Sequence, residues 1–339
     1  MSAASTRAAD RPSDTEAMRI ALEAAAGVRH ATSPRPWVGA VVYPGAFVGA
    51  TEGREGRHAE VVALSAAGEA ARGATLFVTL EPCAHTGKTP PCVDAIIEAG
   101  VARVVVGVRD PDPRVNGRGI AALREAGVEV DVGVAESEVS EQLAPYLHHR
   151  RTGRPYVVLK LALTLDGYIA DASGESRWIT SEAARADAHR LRAESDAVLV
   201  GAGTVRRDDP RLTVRHVDLP GARDPMRVVL GRVPPSARVM PAIEHVGDLE
   251  ELLDRLGASG VLQLLVEGGS RVAGEFHRRG LVDRYVLYLA PALFGGEGAT
   301  SAFGGGEAVK MSALWRGRFV QVRRLGPDLR VDLVPEHGV

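Results

Sequence analysis

Cysteine is nearly absent: the 339 residues hold two, Cys83 and Cys92. Two thiols cannot make the disulfide framework of a secreted scaffold, so both are expected free, in a reducing compartment. Excess charge is also missing. Lys and Arg total 41 against 43 Asp and Glu, a formal net charge of -2. No broad field therefore favours nucleic acid or an anionic membrane, and any anion must be held by a local pocket. The N-terminal "MSAASTRAADRPSDTE" lacks the apolar core of a signal peptide, and no apolar run approaches a membrane span. A cytoplasmic protein with a short disordered leader, residues 1–14, is the expectation. Internal repeats, low-complexity tracts and a G-x-G-x-x-G placed after a strand are likewise absent.

What is present is the composition of an ordinary soluble globular chain, 45% hydrophobic and 25% charged, long enough for two domains with separate cores. Ser13 followed by Glu16 predicts a capping box opening a helix. "WVGAVVYPGAFVGA" predicts a hairpin around Pro-Gly, and "RHAEVVALSAAGEAA" a helix from about His58. "ATLFVTLEPC", "PPCVDAIIEAG", "VARVVVGVRDP" and "GIAALREAGVEVDVG" then alternate strand and helix, with apolar strands that suggest a largely parallel, two-sided sheet. The polar stretch "AESEVSEQLAPYLHHRRTGRP" marks a connection, giving domains over 15–150 and 151–339. The second half restarts with "YVVLKLALTLDGYIA" and again alternates strands with helices, to the final strand "LRVDLVP".

The chemistry-bearing pattern is H-x-E followed by P-C-x8-C: His58, Glu60, Cys83 and Cys92. A catalytic zinc takes three protein ligands and keeps a fourth position for water. One imidazole and two thiolates supply the three. Glu60, two residues beyond His58 on the first turn of the helix, can reach that water without being a ligand, as hydrolytic deamination requires. Two plainer readings stand beside this one. The thiols could be ordinary buried hydrophobes, or a closed structural zinc could recruit His85 as its fourth donor. In the second half, "LLVEGGSRVAGEFHRRG" runs strand, acid, Gly-Gly, helix, which lets a helix N-terminus approach a phosphate. "GAGTVRRDDP" resembles a nucleotide loop less well, because a charged loop is expected after it.

Together, "HAE", "TLEPCAHTGKTPPC" and "VRDPDPRVNGRGI" resemble the deaminase domain of the bifunctional riboflavin-biosynthesis deaminase-reductases. "LKLALTLDGYIA", "SGESRWITSEAAR", "LRAESDAVLVGAGTVRRDDPRLTVR", "VEGGS" and "LAPALFGG" follow in the order of that family's reductase domain. The resemblance covers nearly the whole chain from about residue 15. It implies a cytidine-deaminase-like three-layer α/β/α domain, then a dihydrofolate-reductase-like α/β domain. It also implies zinc on His58, Cys83 and Cys92, Glu60 as proton carrier, and His85 and Lys88 on a phosphorylated pyrimidine. For the reductase it implies NADPH, contacted by Ala162, Trp178, Thr204 and Asp208. The turn and helix start Gly269, Ser270, Arg271, Val272, Ala273, Gly274 and Glu275 join them. Ser176, Arg192, Leu212, Arg215 and Glu267 would hold the substrate, two arginines converging on its phosphate.

The chain departs from the family at five places, one of them a shorter segment between Arg232 and "DLEELLDRL". Arg35 stands where Asn is usual, and the loop "GATEGREG" ahead of His58 carries no second His. Tyr168 follows Leu-Asp-Gly, and Leu230-Gly231-Arg232 replaces Leu-Asp-Ser, so Arg232 is the expected partner of the NADPH 2'-phosphate. Deamination of diaminohydroxyphosphoribosylaminopyrimidine, then reduction of its ribosyl group to ribityl, is the expected function. The alternative keeps one activity, or takes a related phosphorylated pyrimidine. A homo-oligomer, dimer or tetramer, is the expected assembly, with no nucleic acid and no membrane partner.

Overall fold

The computed structural model describes residues 13–85, 90–307 and 309–336; Lys88 and residues 1–12 of the expected leader lie outside the described residues. The chain divides between Thr152 and Gly153 into two compact units.

In the first unit, α1 (Asp14–Thr32) opens on the expected capping box. Ser13 Oγ accepts from the Glu16 N–H at 3.2 Å, and the Glu16 carboxylate accepts from the Ser13 N–H at 2.8 Å. β1 (Gly39–Tyr43) and β2 (Phe47–Ala50) form the hairpin. α2 (Ala59–Ala67), β3 (Thr75–Leu80), α3 (Cys92–Glu98), β4 (Arg103–Val108), α4 (Arg118–Glu125) and β5 (Glu129–Val132) follow. The sheet order is β2-β1-β3-β4-β5. Only β3, β4 and β5 run parallel; β1 is antiparallel to both its neighbours. The largely parallel sheet read from apolar strands is thus corrected to a mixed one. A turn as short as Pro44–Ala46 cannot make the crossover that parallel pairing needs.

A second correction concerns the polar connection, which folds as α5 (Glu136–Gln142) and α6 (Ala144–Thr152). Val139, Leu143, Tyr146 and Leu147 are buried along it. Their i, i+4, i+7, i+8 spacing is a helical apolar stripe hidden among charges, each side chain contributing about 1.5–3 kcal/mol of burial.

The second unit begins with β6 (Tyr156–Thr164), which breaks at a Leu165–Gly167 turn before the short β7 (Tyr168–Ala170) rather than running on as one strand. Then come α7 (Glu182–Ala193), β8 (Ala197–Gly201), α8 (Ala202–Asp208), β9 (Met226–Leu230), β10 (Ile243–His245), α9 (Leu249–Ala258), β11 (Gln263–Val266) and α10 (Ser270–Arg278). β12 (Arg284–Ala290), β13 (Thr300–Ser301) and the hairpin β14 (Gly317–Leu325) and β15 (Asp328–Pro335) complete it. The main sheet runs β10-β9-β8-β11-β6-β12-β15-β14, parallel from β10 through β12 and antiparallel beyond. Leu252, Leu253 and Leu256 of α9 and Phe276 of α10 seal one face against Leu159, Leu199 and Leu264 of the central strands. The parallel strands therefore end side by side, as sites in open α/β sheets require. The helix α8 also corrects the expected charged loop after "GAG". Ala202 and Val205 are buried in that segment, while its arginines face outward.

Candidate active sites

His58 is the N-cap of α2, in extended conformation, and Glu60 lies on the first turn. The helix can sit this close to the sheet because Gly49 has no side chain; a Cβ there would lie 2.3 Å from the Ala59 carbonyl oxygen. Cys83 follows β3 by three residues, and Cys92 is the first residue of α3. Their donor atoms and that of His58 all lie within 4.8 Å of one another. Tetrahedral zinc, with Zn–S near 2.3 Å and Zn–N near 2.0–2.1 Å, sets N···S edges of about 3.5 Å. His58 Nδ1 lies 3.6 Å from Cys83 Sγ and 3.0 Å from Cys92 Sγ, so the donor set fits the ion. His85 is not in the cluster among the described residues; its Nδ1 is buried without a hydrogen-bond partner there.

The local electrostatics suit this chemistry. The hydrogen bond from Cys92, aided by His58, lowers the Cys83 thiol to about 4, while that same bond and burial push Cys92 up. The His58 imidazole is raised by its hydrogen bond to Cys83. Glu60 is 4% exposed, and burial raises its carboxyl above the usual range. One residue that the sequence reading missed supports the loop. Both oxygens of buried Glu81 accept backbone N–H groups, Oε1 from Gly119 and Ile120 and Oε2 from Asp110 and Gly117. An acid ending the apolar strand "TLFVTLE" was the available signal.

The second unit carries a cleft of ≈ 1520 Å³. That exceeds the roughly 300–1,000 Å³ of a single small-ligand pocket and leaves room for a dinucleotide beside a second molecule. Its walls are the C-terminal ends of β6, β8, β9 and β11. Ala162, Thr204, Asp208, Gly269 and the first turn of α10 (Ser270, Arg271, Val272) all line it, with Trp178 at the rim, 70% exposed. Arg185 lies 4.5 Å over the Trp178 ring. Arg232 lines the cleft just past β9 and pairs loosely with Glu244 at 3.2 Å. A helix N-terminus with open N–H groups, beside arginines, fits a pyrophosphate and a 2'-phosphate. The last three residues expected on this helix lie elsewhere. Ala273 is sealed in the core, Gly274 abuts the Gly304 carbonyl, and Glu275 pairs with Arg278. The cleft meets α10 at its N-terminal end, and these three lie further along the helix axis.

Ser176, Leu212, Arg215, Arg192 and Glu267 also line the cleft, and the two arginines differ in their partners. Arg192 forms a two-pronged pair with Glu267, at 2.5 and 2.7 Å, and its Nη1 donates to the Thr213 carbonyl at 3.1 Å. Burial alone pushes Glu267 up, but Arg192, with Lys160 and His189 beyond, outweighs it and holds the carboxyl at about 2. Arg192 is thus paired inside the protein, while Arg211 and Arg215 line the cleft from the segment after α8. The sequence reading also passed over Lys160, whose pKa is lowered by burial and which lines the cleft two residues before Ala162. A lone lysine in the apolar strand "YVVLKLALT" was its signal.

The geometry thus offers a unit with a zinc-type donor set beside a buried glutamate, and an α/β unit with a cleft roomy enough for a dinucleotide and a second molecule. Residues 11–108 match the cytidine and deoxycytidylate deaminase zinc-binding region, and residues 155–331 match the RibD C-terminal domain. The riboflavin biosynthesis protein RibD of Mycobacterium tuberculosis is 46% identical over 330 residues, 94% of this chain and 96% of that one. RibD of Bacillus amyloliquefaciens is 39% identical over 358 residues, 95% and 96% of the two chains. Among solved structures, Acinetobacter baumannii RibD superposes with a TM-score of 0.88 at 37% identity, covering 96% of this chain and 99% of that one. A diaminohydroxyphosphoribosylaminopyrimidine deaminase/5-amino-6-(5-phosphoribosylamino)uracil reductase from Thermotoga maritima gives 0.85 at 36% identity, covering 95% and 98%.

The chain belongs to the RibD family of bifunctional riboflavin-biosynthesis enzymes. It carries both activities, zinc-dependent deamination of the pyrimidine and NADPH-dependent reduction of the ribosyl group; the single-activity alternative is not favoured. No helix among the described residues is long and apolar enough to cross a membrane.

Proposed function

We propose that the deamination runs on His58, Cys83, Cys92 and Glu60, and the reduction on the cleft of the second unit. Zinc supplies a Lewis acid that makes the attacking water acidic. Glu60 takes the water's proton and hands it to the leaving amine; a carboxyl raised by burial is suited to holding that proton near neutrality. His85, with its buried, unpartnered Nδ1, contacts the pyrimidine, and Lys88 its phosphate. The observation that carries this half is the His-Cys-Cys donor set with a buried glutamate beside it.

For the reduction, NADPH supplies the hydride. Ala162, Trp178, Thr204, Asp208, Gly269, Ser270, Arg271 and Val272 position it, and Arg232 takes the 2'-phosphate. Ser176, Leu212 and Arg215 hold the deaminated substrate, while the Arg192–Glu267 pair orients its sugar. Lys160 donates the proton that the opened sugar oxygen needs, a role suited to a lysine whose pKa burial has lowered. The domains of the reading are 15–150 for deamination and 151–339 for reduction. Function in the cytoplasm is supported by the two free thiols. A homo-oligomer is supported by the outer edge strand β14, where Phe319 and Val322 are exposed.

The test replaces Glu60 by Gln and Glu267 by Gln separately in the full chain. Glu60→Gln abolishes ammonia release with reduction of the deaminated substrate intact, and Glu267→Gln does the reverse. If either change removed both steps or neither, the assignment fails.

A further inference from the structure

The loop over residues 209–216 forms one wall of the reductase cleft, and its backbone is strained. Asp209, Leu212 and His216 hold φ of 39, 56 and 59°, in the left-handed region that non-glycine residues avoid. Such a conformation persists only where surrounding contacts over-determine it. Here they do. Asp209 accepts from the Arg238 N–H at 2.8 Å, the Thr213 carbonyl accepts from Arg192, and the Val214 N–H donates to Asp224 at 2.8 Å. The fourth pin is the Arg215 N–H, which donates to His189 Nδ1 at 3.1 Å.

That last bond fixes the state of His189. A ring nitrogen that accepts from a backbone N–H carries no proton, so in the neutral ring the proton sits on Nε2. His189 is 8% exposed and lines the cleft, and among the described residues no hydrogen bond involves its Nε2. The charged and titratable groups around it are Arg192 and Arg215, with Glu267 opposite and His216 edge-on at 5.3 Å. Burial first, then the two arginines, lower its pKa to about 4, so the ring is a neutral donor under ordinary conditions. Since Arg192 is taken up by Glu267, the cations that this loop brings to the cleft are Arg211 and Arg215, and the His189 ring lies against the backbone of Arg215.

We infer that His189 is a substrate-positioning residue of the reductase: its Nδ1 sets the Arg215 loop, and its Nε2–H donates to the phosphate of the substrate. The inference rests on the reading that this cleft reduces the phosphorylated sugar. It assigns phosphate recognition to Arg215 and a neutral histidine instead of to two arginines. An uncharged donor holds a dianion in place without adding a further counter-charge, which suits a product that must leave.

The experiment uses the full chain and steady-state reduction, with the phosphorylated deaminated substrate and its dephosphorylated counterpart. His189→Ala raises KM for the phosphorylated substrate at least tenfold while kcat, KM for NADPH and the deaminase rate stay within twofold. With the dephosphorylated substrate the loss is at least several-fold smaller, since only the loop contact is then missing. His189→Gln, which keeps one acceptor and one donor, restores KM to within a few-fold, and it stands as the folded control if the alanine variant is unstable. Equal losses on both substrates, a rise confined to NADPH, or a fall in kcat alone overturns the role of His189. Failure of the wild type to oxidise NADPH on either substrate instead overturns the reading of the cleft.

Discussion

Replacing Glu81 by Gln tests how the zinc loop is held. The carboxylate accepts four backbone N–H groups, two on each oxygen, from the segment around Asp110 and the start of α4. An amide keeps one acceptor oxygen and turns an NH2 toward the other pair, so either flip orphans two buried donors. Each orphan costs about 1–3 kcal/mol, giving about 2–6 kcal/mol in all. In a unit of this size, 1 kcal/mol moves Tm by about 2–4 °C, so roughly 4–24 °C is expected. Glu81 lies two residues before Cys83, so the loss is felt as zinc retention. The assay heats the full chain and follows half-inactivation of deamination and of reduction separately, with chelator competition for zinc at 25 °C. Deamination fails at the lower temperature and zinc is lost faster, while reduction holds. A shift under about 2 °C, or equal shifts of both activities, refutes the reasoning.

Gly119→Ala tests the same contact by sterics: its Cβ would lie 1.9 Å from the Pro82 carbonyl oxygen. Despite alanine's better helix propensity, the variant loses at least about 1–3 kcal/mol, read as earlier thermal loss of deamination. In the second unit, burial raises the Asp283 carboxyl from 3.8 to about 7. Between those values the unfolded chain ionises while the native one keeps its proton, so this group costs stability as pH rises. Asp283→Asn therefore gains stability relative to wild type on going from pH 5 to pH 8, by a few degrees in the reductase transition; a difference independent of pH would contradict it.

Much of the deaminase site was legible because its chemistry is local in type and spacing. H-x-E places one ligand at a helix start and an acid on its first turn, and a strand ending in P-C supplies the second ligand. Periodicity likewise gave most helices and parallel strands, and the Ser13–Glu16 box gave the first helix start. It failed where burial is scattered through a charged sequence, as in α5 and α6, and at the break between β6 and β7. Near Ser270 the Gly-Gly-helix stretch lies on the cleft wall from Gly269 to Val272, while residues 273–275 lie further along α10.

By itself, then, the sequence determined the residue types that can bind zinc, the two-unit layout and the parallel α/β character of the second half, because these follow from short-range spacing and hydrophobic period. Tertiary structure alone decided that Arg192 pairs with Glu267 on the cleft wall. It alone brought Lys160 and His189 to the same cleft and gathered four distant N–H groups onto Glu81. Those outcomes depend on which chain ends meet across the sheet. Pairing between residues 75 positions apart, as in Arg192 and Glu267, leaves no periodic trace in the sequence.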